Sequence, residues 1–496
     1  MIKLIIALLP LLIIGLTTII VMLFIALKRN HFYSVIIAIS GMILAMMSLY
    51  FFKYVNGAIF VTSLLVIDSY SLFFSVMILL AAIVTCIFAY LWLESDPVDN
   101  KEEFYLLVLI ATMGGILLSS TNNFASLLIG MELISIPLFG LSGYSYSQKY
   151  SLEACIKYTI PSAIASSFFI FGIALIYAQY GNLNFLEIEK SITSESLQPL
   201  LIVGFGLLLV SFGFKISLVP FHLVTPDVYQ GAPVPVTTFL STASKIAVFG
   251  ALTKFLISVS IMDNLAIRTV LGIMAFLSIL CGNLMAMYQT NIKRLLGYSS
   301  IAHFGYLVTA LITIPNNPFF LETVNFYLFS YLLSSLGLFG IVSIISSNYP
   351  DSSQVDNISY YRGLFWSNPI LTSAMTIMIL SLAGIPLTLG FFGKFGIILL
   401  NVSARNWWLT FAIVMGSAMS IYYYLRLTVN LYLFPHKRIL TIDPIYESTR
   451  LTVFIIIMML AILVILWGIF PQSLISITQL AKPQLLFKES LIPIYR

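Results

Sequence analysis

Phe214-Lys215-Ile216-Ser217-Leu218-Val219-Pro220-Phe221-His222 sets a lysine and a proline into a long apolar run. Proline removes a backbone donor and clashes with the preceding helical turn. Inside a bilayer the groups so freed must be satisfied by protein or by water. A second stretch repeats these ingredients: Leu382-Ala383-Gly384-Ile385-Pro386-Leu387-Thr388-Leu389-Gly390-Phe391-Phe392-Gly393-Lys394. Two interrupted membrane helices in separate halves of a chain mark internal repeats with a transport path at the breaks. The plainer alternative is a pair of proline kinks at Pro220 and Pro386.

Composition sets the solvent. The 496 residues are 60% hydrophobic and only 9% charged, against about 25% charged in an average soluble domain. A soluble enzyme is excluded, because too little polar surface exists to face water. The formal net charge of +5 is spread over short connections without a run of Lys or Arg, so no nucleic-acid partner is expected. Cys86, Cys155 and Cys281 stand singly in apolar segments and read as small core side chains. The first apolar run, from about Ile5 to Leu27, ends in Lys28-Arg29-Asn30. It is too long for a secretory h-region and lacks a small-residue cleavage site, so it reads as the first span.

Apolar runs long enough to cross a bilayer centre near Ile14, Leu44, Met77, Leu109, Leu133, Phe171 and Leu208. Others centre near Phe249, Phe276, Leu307, Leu336, Leu382, Met415 and Leu463. The expected fold is an all-α polytopic membrane protein of about fourteen transmembrane helices. The interrupted spans are the seventh and twelfth. Spans four to eight and nine to thirteen then form two five-helix repeats, inverted because each holds an odd number of helices. The corresponding division is 1–100 for an N-terminal three-helix segment, 101–260 and 261–435 for the repeats, and 436–496 for a last helix and tail. The stretches Asn348–Asn368 and Phe434–Arg450 read as connectors only. Trp92, Trp366, Trp407, Trp408 and Trp467 fall near span ends, where amphipathic rings favour the interface. Odd-numbered loops carry Lys28-Arg29, Lys149, Lys293-Arg294, Arg362 and Lys437-Arg438. Even-numbered loops carry little beyond Lys53, Lys190, Arg268 and Arg405. The positive-inside rule then makes the odd loops cytoplasmic and puts both termini on the periplasmic face.

Four ionisable residues lie deep within the apolar runs: Glu132, Lys215, Lys245 and Lys394. An ion near the bilayer centre costs roughly 2.5–3.5 kcal/mol on insertion scales, so such residues typically serve ion or proton movement. Low dielectric also disfavours the charged form of a lysine. Glu132, in Gly130-Met131-Glu132-Leu133-Ile134-Ser135-Ile136-Pro137, is expected to pair with Lys215, either as a proton-linked switch or as a static ion pair. Lys245 shares a helical face with Thr238, Ser241 and Thr242 by its three- and four-residue spacing, a polar stripe suited to ordered water. Lys394 follows the second break, among Gly390, Gly393 and Gly396, and either opens into water or reaches a helix end. His222 and His303 are candidate relays, since imidazole titrates near neutral pH. Ser299 and Tyr306 share the face of His303, and both histidines are equally readable as hydrogen-bonded core residues. Glu153 and Lys157 form an i,i+4 pair that supports either its helix or the charged row. The histidines at 31, 222, 303 and 436 are scattered, and no metal ligand set, phosphate loop or catalytic triad is visible.

These residues and their surroundings closely resemble the subunit N family of the bacterial proton-pumping NADH:quinone oxidoreductase, respiratory complex I. The resemblance runs over nearly the whole length. It is carried by Glu102-Glu103-Phe104-Tyr105-Leu106-Leu107, Met131-Glu132-Leu133-Ile134-Ser135-Ile136-Pro137 and Phe214-Lys215 through Pro235. Gln289-Thr290-Asn291-Ile292-Lys293-Arg294-Leu295-Leu296-Gly297-Tyr298-Ser299-Ser300 and Gly384-Ile385-Pro386 through Lys394 add to it. Pro220-Phe221-His222-Leu223-Val224-Thr225-Pro226-Asp227 is its most specific piece, although the family usually has tryptophan where Val224 stands.

The resemblance implies an antiporter-like, proton-translocating subunit of a redox-driven translocase, with fourteen helices and two inverted repeats. It implies a glutamate–lysine pair at Glu132 and Lys215, a central lysine at Lys245 and a terminal lysine at Lys394. It implies no redox centre in this chain, with FMN, iron–sulfur clusters and quinone in or near other subunits. Expected partners are the neighbouring antiporter-like subunit, the small membrane subunits and the bilayer of the bacterial inner membrane. A subunit of a multi-subunit cation/proton antiporter is the second expectation, and a static membrane scaffold the third. The short tail Lys482–Arg496 is expected to set the chain apart from the largest antiporter-like relative, which ends in a long lateral helix.

Overall fold

The structure is a computed structural model that describes residues 2–54, 57–95, 100–146, 148–194, 199–314, 317, 319–347, 355–435 and 448–481. His436, Lys437-Arg438 and Lys482–Arg496, which entered the expectations above, lie outside the described residues, as do 348–354 and 439–447 of the connectors.

Backbone groups in hydrocarbon find partners only within their own segment, so long apolar runs close into helices. α1 (Ile2–Leu27), α2 (His31–Ser48) and α3 (Ser69–Ser95) form the N-terminal segment. α4 (Glu103–Ser119), α5 (Phe124–Ser142), α6 (Lys149–Tyr180) and a short α7 (Phe185–Ser194) follow. The seventh span is α8 (Pro199–Ile216) and α9 (Val224–Gly231), parted at the break. The eighth is α10 (Val234–Phe239), a π-helical turn Leu240–Ser244, and α11 (Lys245–Ser258). Then come α12 (Leu265–Met287), α13 (Ile292–Leu311), α14 (Phe320–Ser347) and a single turn, α15 (Leu364–Ser367). The twelfth span is α16 (Pro369–Ala383) and α17 (Leu389–Ser403), again parted. α18 (Trp407–Tyr432), α19 (Ser448–Ile469) and a short α20 (Gln472–Leu480) complete the described chain. Among the described residues, eleven helices are long and apolar enough to cross a membrane. With α4, α13 and the α16–α17 pair, the described spans reach the fourteen expected from hydropathy.

Asparagines start several of these helices. The side chains of Asn30, Asn123, Asn264 and Asn291 each accept a backbone N–H from the first turn of α2, α5, α12 and α13. Each satisfies a donor that helix geometry leaves orphaned. The middle of the bundle is Val234–Ser258, α13 and α14, whose residues are almost all buried. α1, α6 and α19 turn large apolar side chains outward, among them Leu12, Ile156, Phe171 and Ile455. α6 and α8 touch backbone to backbone, because a Cβ on Gly172 would lie 2.7 Å from Gly204 O. Small residues permit this approach between membrane helices.

Three elements were not expected from the apolar runs: a hairpin of β1 (Ile59–Phe60) and β2 (Val66–Ile67), and the short helices α7 and α20. They are brief, so run length does not reveal them. The connector at 355–368 also has more order than expected. It holds a 3-10 turn at Ile358–Tyr361 and α15, and its Asp356 pairs with Lys293 at 3.0 Å.

Gly172→Val is expected to lower the thermal midpoint, because the new side chain strikes the α8 backbone and overpacking costs about 1–3 kcal/mol. Gly206→Ala meets open space inside α8 and should raise stability by up to about 1 kcal/mol, because alanine is the better helix former. Thermal unfolding of the purified protein in detergent checks both.

Candidate functional site

The first break places Lys215 in the last turn of α8. Ser217 turns the chain with a φ of 64°, a left-handed conformation that costs a non-glycine residue roughly 1–2 kcal/mol. Neighbours meet the freed donors. Leu218 N–H reaches back to Gly213 O (2.7 Å), and Val219 N–H donates to Ser278 Oγ (2.9 Å) on α12. The Thr225 hydroxyl donates to Ser217 Oγ (2.5 Å). Lys215 Nζ donates to Ser135 Oγ (2.5 Å) on α5 and to Ser162 Oγ (2.8 Å) on α6. The Glu132 carboxylate accepts from Ser166 Oγ (2.5 Å), one turn along α6 from Ser162. The direct Glu132–Lys215 ion pair expected from sequence is not among the ion pairs of the described residues. Serine hydroxyls stand closer to each group and take its hydrogen bonds, while the Glu132 charge still acts on Lys215 at longer range. Both residues are partly buried.

Lys245 follows the π-helical turn, an irregularity frequent at functional sites. It is 3% exposed. Its Nζ donates to Ser300 Oγ (2.6 Å) on α13 and lies over the rings of Tyr229 and Phe304, 5.6 and 5.2 Å from their centroids. No carboxylate stands within ion-pair distance of it among the described residues. The hydroxyls of Thr238, Ser241 and Thr242 donate to carbonyls of their own helix at 2.8, 3.0 and 2.6 Å. The stripe expected to hold water therefore offers it lone pairs and no protons. A cavity with an empty volume of about 360 Å³ lies between Lys215 and Lys245, lined also by Ser217, Tyr229 and Ser244.

The second break places Lys394. Gly384 ends α16 with a φ of 81°, and a Cβ there would meet Lys394 Cδ at 2.6 Å, so only glycine leaves the lysine its path. Lys394 Nζ donates to Ala383 O (2.8 Å) at the C-terminus of α16 and to Ser420 Oγ (3.3 Å) on α18. A helix C-terminus carries partial negative charge and favours a cation. Tyr306 lies beneath the amine, 5.5 Å from Nζ to ring centroid, and its hydroxyl accepts from Asn283 Nδ2 (3.0 Å). His303, buried on α13, sets Nδ1 2.6 Å from the Tyr327 hydroxyl and Nε2 3.3 Å from that of Tyr424. A second, water-sized cavity is lined by His303, Tyr327, Tyr331, Ser334, Ser381 and Lys394.

Of the residues singled out in the sequence, the fold brings Glu132, Lys215, Lys245, His303, Tyr306 and Lys394 into one row. His222 flanks the first break, but its Nδ1 is buried without a partner and no described hydrogen bond joins its ring to the lysines. Pro220 and Pro386 sit in the break loops, exposed. Glu153 and Lys157 pair at 2.6 Å outside the row, exposed near one end of the bundle. There Lys157 also holds Asp227 Oδ2 (2.7 Å), and Arg294 of α13 holds Asp227 Oδ1 (2.5 Å). Beside them a cavity with an empty volume of about 2070 Å³ opens between the two halves, lined in part by Lys149, Gln230, Lys293 and Asp356. Among the described residues no group of three or more His, Cys, Asp or Glu converges on a metal position. Sequence reasoning missed Ser135, Ser162, Ser166, Ser300, Tyr327 and Tyr424. Serine and tyrosine are common in any span, and the only local signal was the i,i+4 spacing of Ser162 and Ser166.

Fold and site together define a polytopic membrane protein whose buried amines alternate with hydroxyls, imidazole and small cavities between two broken helices. Residues 120–420 match the family described as NADH:quinone oxidoreductase/Mrp antiporter, transmembrane. The chain belongs to this family and is an antiporter-like membrane subunit of the complex I/Mrp type. It is similar to a chain of respiratory complex I from Thermus thermophilus, with 30% identity over 94% of this chain and 98% of that one and a TM-score of 0.80. It shares its fold with a chain of the archaeal membrane-bound sulfane sulfur reductase, at 23% identity, 96% coverage of each chain and a TM-score of 0.84. The same holds for a chain of the Mrp complex from Dietzia sp. DQ12-45-1b, at 17% identity, 98% coverage of each and a TM-score of 0.83.

Tyr327→Phe keeps the ring and removes the hydroxyl that His303 Nδ1 meets. Leaving a buried polar group unpaired costs about 1–3 kcal/mol, so the thermal midpoint of the purified protein should fall. An unchanged midpoint would mean that the His303–Tyr327 bond adds nothing.

Proposed function

We propose that this chain is the proton-translocating antiporter-like subunit of a respiratory NADH:quinone oxidoreductase, corresponding to subunit N of the bacterial enzyme. The observation that carries the reading is Lys245. Its amine is buried, has one hydrogen bond, to Ser300, and has no carboxylate in ion-pair range among the described residues. Leaving a buried charge unpaired costs about 3–5 kcal/mol. The amine escapes that cost by giving up its proton or by drawing in water and a compensating charge. Either response ties it to Lys215 across one cavity and to Lys394 across the His303–Tyr327–Tyr424 cluster. The proton passes from Lys215 to Lys245 and on to Lys394, with Glu132 setting the electrostatic state of the first amine.

The energy arrives from outside the chain, because moving one elementary charge against 100 mV costs about 2.3 kcal/mol. FMN, iron–sulfur clusters and quinone belong in or near partner subunits. The partly buried Glu132, on the α5–α6 flank, suits contact with a neighbouring antiporter-like subunit. Residues 101–260 and 261–435 act as the inverted repeats. In support, α8 and α16 enter the bundle from opposite ends, and each stops short at a break beside a lysine of the row. The Lys and Arg balance of the loops favours both termini on the periplasmic side of a bacterial inner membrane. Identity of 30% over nearly the full chain favours the NADH:quinone oxidoreductase assignment. The fold shared with an Mrp complex chain favours a second reading, a subunit of a multi-subunit cation/proton antiporter. Purification from native membranes separates them: co-purifying flavin and iron–sulfur subunits support the first, and membrane subunits alone support the second.

Lys215→Ala and Glu132→Gln are each expected to assemble and to lose most redox-driven proton uptake into vesicles. Wild-type uptake by an assembled Lys215→Ala complex would refute the reading.

A further inference from the structure

A second buried pair of opposite charge lies off the row, at the end of the bundle away from Lys293 and Arg294. Asp68 directly precedes α3, and Lys254 lies one turn before the end of α11 at Ser258. Both side chains are 0% exposed. Lys254 is nine residues beyond Lys245, two and a half turns along the helix and on its opposite side, so it does not face the cavities of the row.

The contacts of this pair are incomplete. Lys254 Nζ stands 3.8 Å from Asp68 Oδ1, at the outer limit of ion-pair contact. It donates to two backbone carbonyls, Val66 O (3.1 Å) in β2 and Ser119 O (3.2 Å) at the end of α4. Asp68 Oδ1 accepts from Ser71 N–H (2.9 Å), whereas Asp68 Oδ2 is buried with no hydrogen-bond partner. A buried ion pair that serves stability alone has its remaining lone pairs and protons satisfied. This one keeps an open acceptor on the acid. Around it the Ser75 and Ser119 hydroxyls meet at 3.3 Å, and a small cavity lined by Ser71, Ser75 and Ser120 reaches toward α1. The hairpin lies over the site and contributes the Val66 carbonyl.

We propose that Asp68 and Lys254 form a second, off-axis proton-exchange site beneath the β1–β2 hairpin, serving the face of the membrane where α3 begins. The inference rests on the proton-translocating reading above. The exchange is balanced within the pair. Once the 3.8 Å gap between Lys254 Nζ and Asp68 Oδ1 closes to hydrogen-bond length, a proton moves from the ammonium to the carboxylate, giving amine and carboxylic acid. Both states are neutral overall, so neither leaves net charge in the interior. Loss of the ammonium also weakens the bond that holds Val66 O, and so loosens the hairpin above the acid. The carboxylic acid then passes its proton to water on that face, and the amine is recharged from inside the bundle.

Lys254→Arg tests this in the assembled complex, because arginine keeps the cation and does not deprotonate in proteins. Assembly at wild-type level with a several-fold loss of proton translocation per turnover supports the site. Assembly with wild-type translocation overturns it. If arginine does not fit, the double variant Asp68→Asn/Lys254→Gln removes both charges at nearly constant size. A static pair then permits wild-type translocation, which overturns the proposal, and an exchange site does not. Infrared difference spectra of the unaltered complex on turnover supply a third readout. A carboxylic-acid band that disappears in Asp68→Asn is expected, and no carboxylic-acid band at all would overturn the proposal. Lys245→Met is the control for the underlying reading. If that variant also translocates normally, the proton-translocating role itself fails; if it does not while Lys254→Arg does, only the off-axis site fails.

Discussion

An ammonium held in hydrocarbon needs oxygen atoms at about 3 Å, and this fold supplies them sparingly. Lys215 receives two serine hydroxyls, Lys245 one, and Lys394 a backbone carbonyl and a serine. None of the three has a carboxylate in direct contact among the described residues. Each amine is therefore tolerated without being clamped. A full set of ionic contacts would fix the charge in place, and a wholly apolar pocket would expel it. The cavities beside Lys215, Lys245 and Lys394 lie where this intermediate regime is needed.

The two broken spans reach that regime by different local means. At the seventh, a serine is forced into a left-handed turn and its hydroxyl accepts from Thr225. At the twelfth, Gly384 takes one left-handed turn without that penalty and leaves room for the lysine stem, while Leu387, at a φ of 73°, bears it once. Both devices stop a helix inside the membrane and put a lysine beside the interruption. The eighth span stays continuous and instead carries a π-helical turn just before Lys245. A helix break, a helix irregularity and a second helix break thus line up from one half of the chain to the other.

Much of this was legible in the sequence. The fourteen apolar runs, the proline-bearing interruptions and the isolated lysines are local features, and each was found where expected. What the sequence hid was pairing over distance. Glu132 and Lys215 read as natural partners by charge, yet Ser135, Ser162 and Ser166 come between them, and hydroxyls on helix faces carry no distinctive spacing. Thr238, Ser241 and Thr242 read as a wet stripe, but their protons go to carbonyls a turn back in the same helix. Asp68 and Lys254 gave no signal. The acid looks like an ordinary residue opening a helix and the lysine like one near a helix end, and 186 positions separate them. The hairpin and the short amphipathic helices escaped because they are too brief to register as apolar runs.

The Asp227 carboxylate has one oxygen held from α6 by Lys157 and the other from α13 by Arg294. Those helices fall on opposite sides of the seam between the two halves. Since these groups lie at the wet rim, a cation that lets go is rehydrated at little cost. The seam is fastened at its mouth by partly exposed ion pairs, which water and salt weaken.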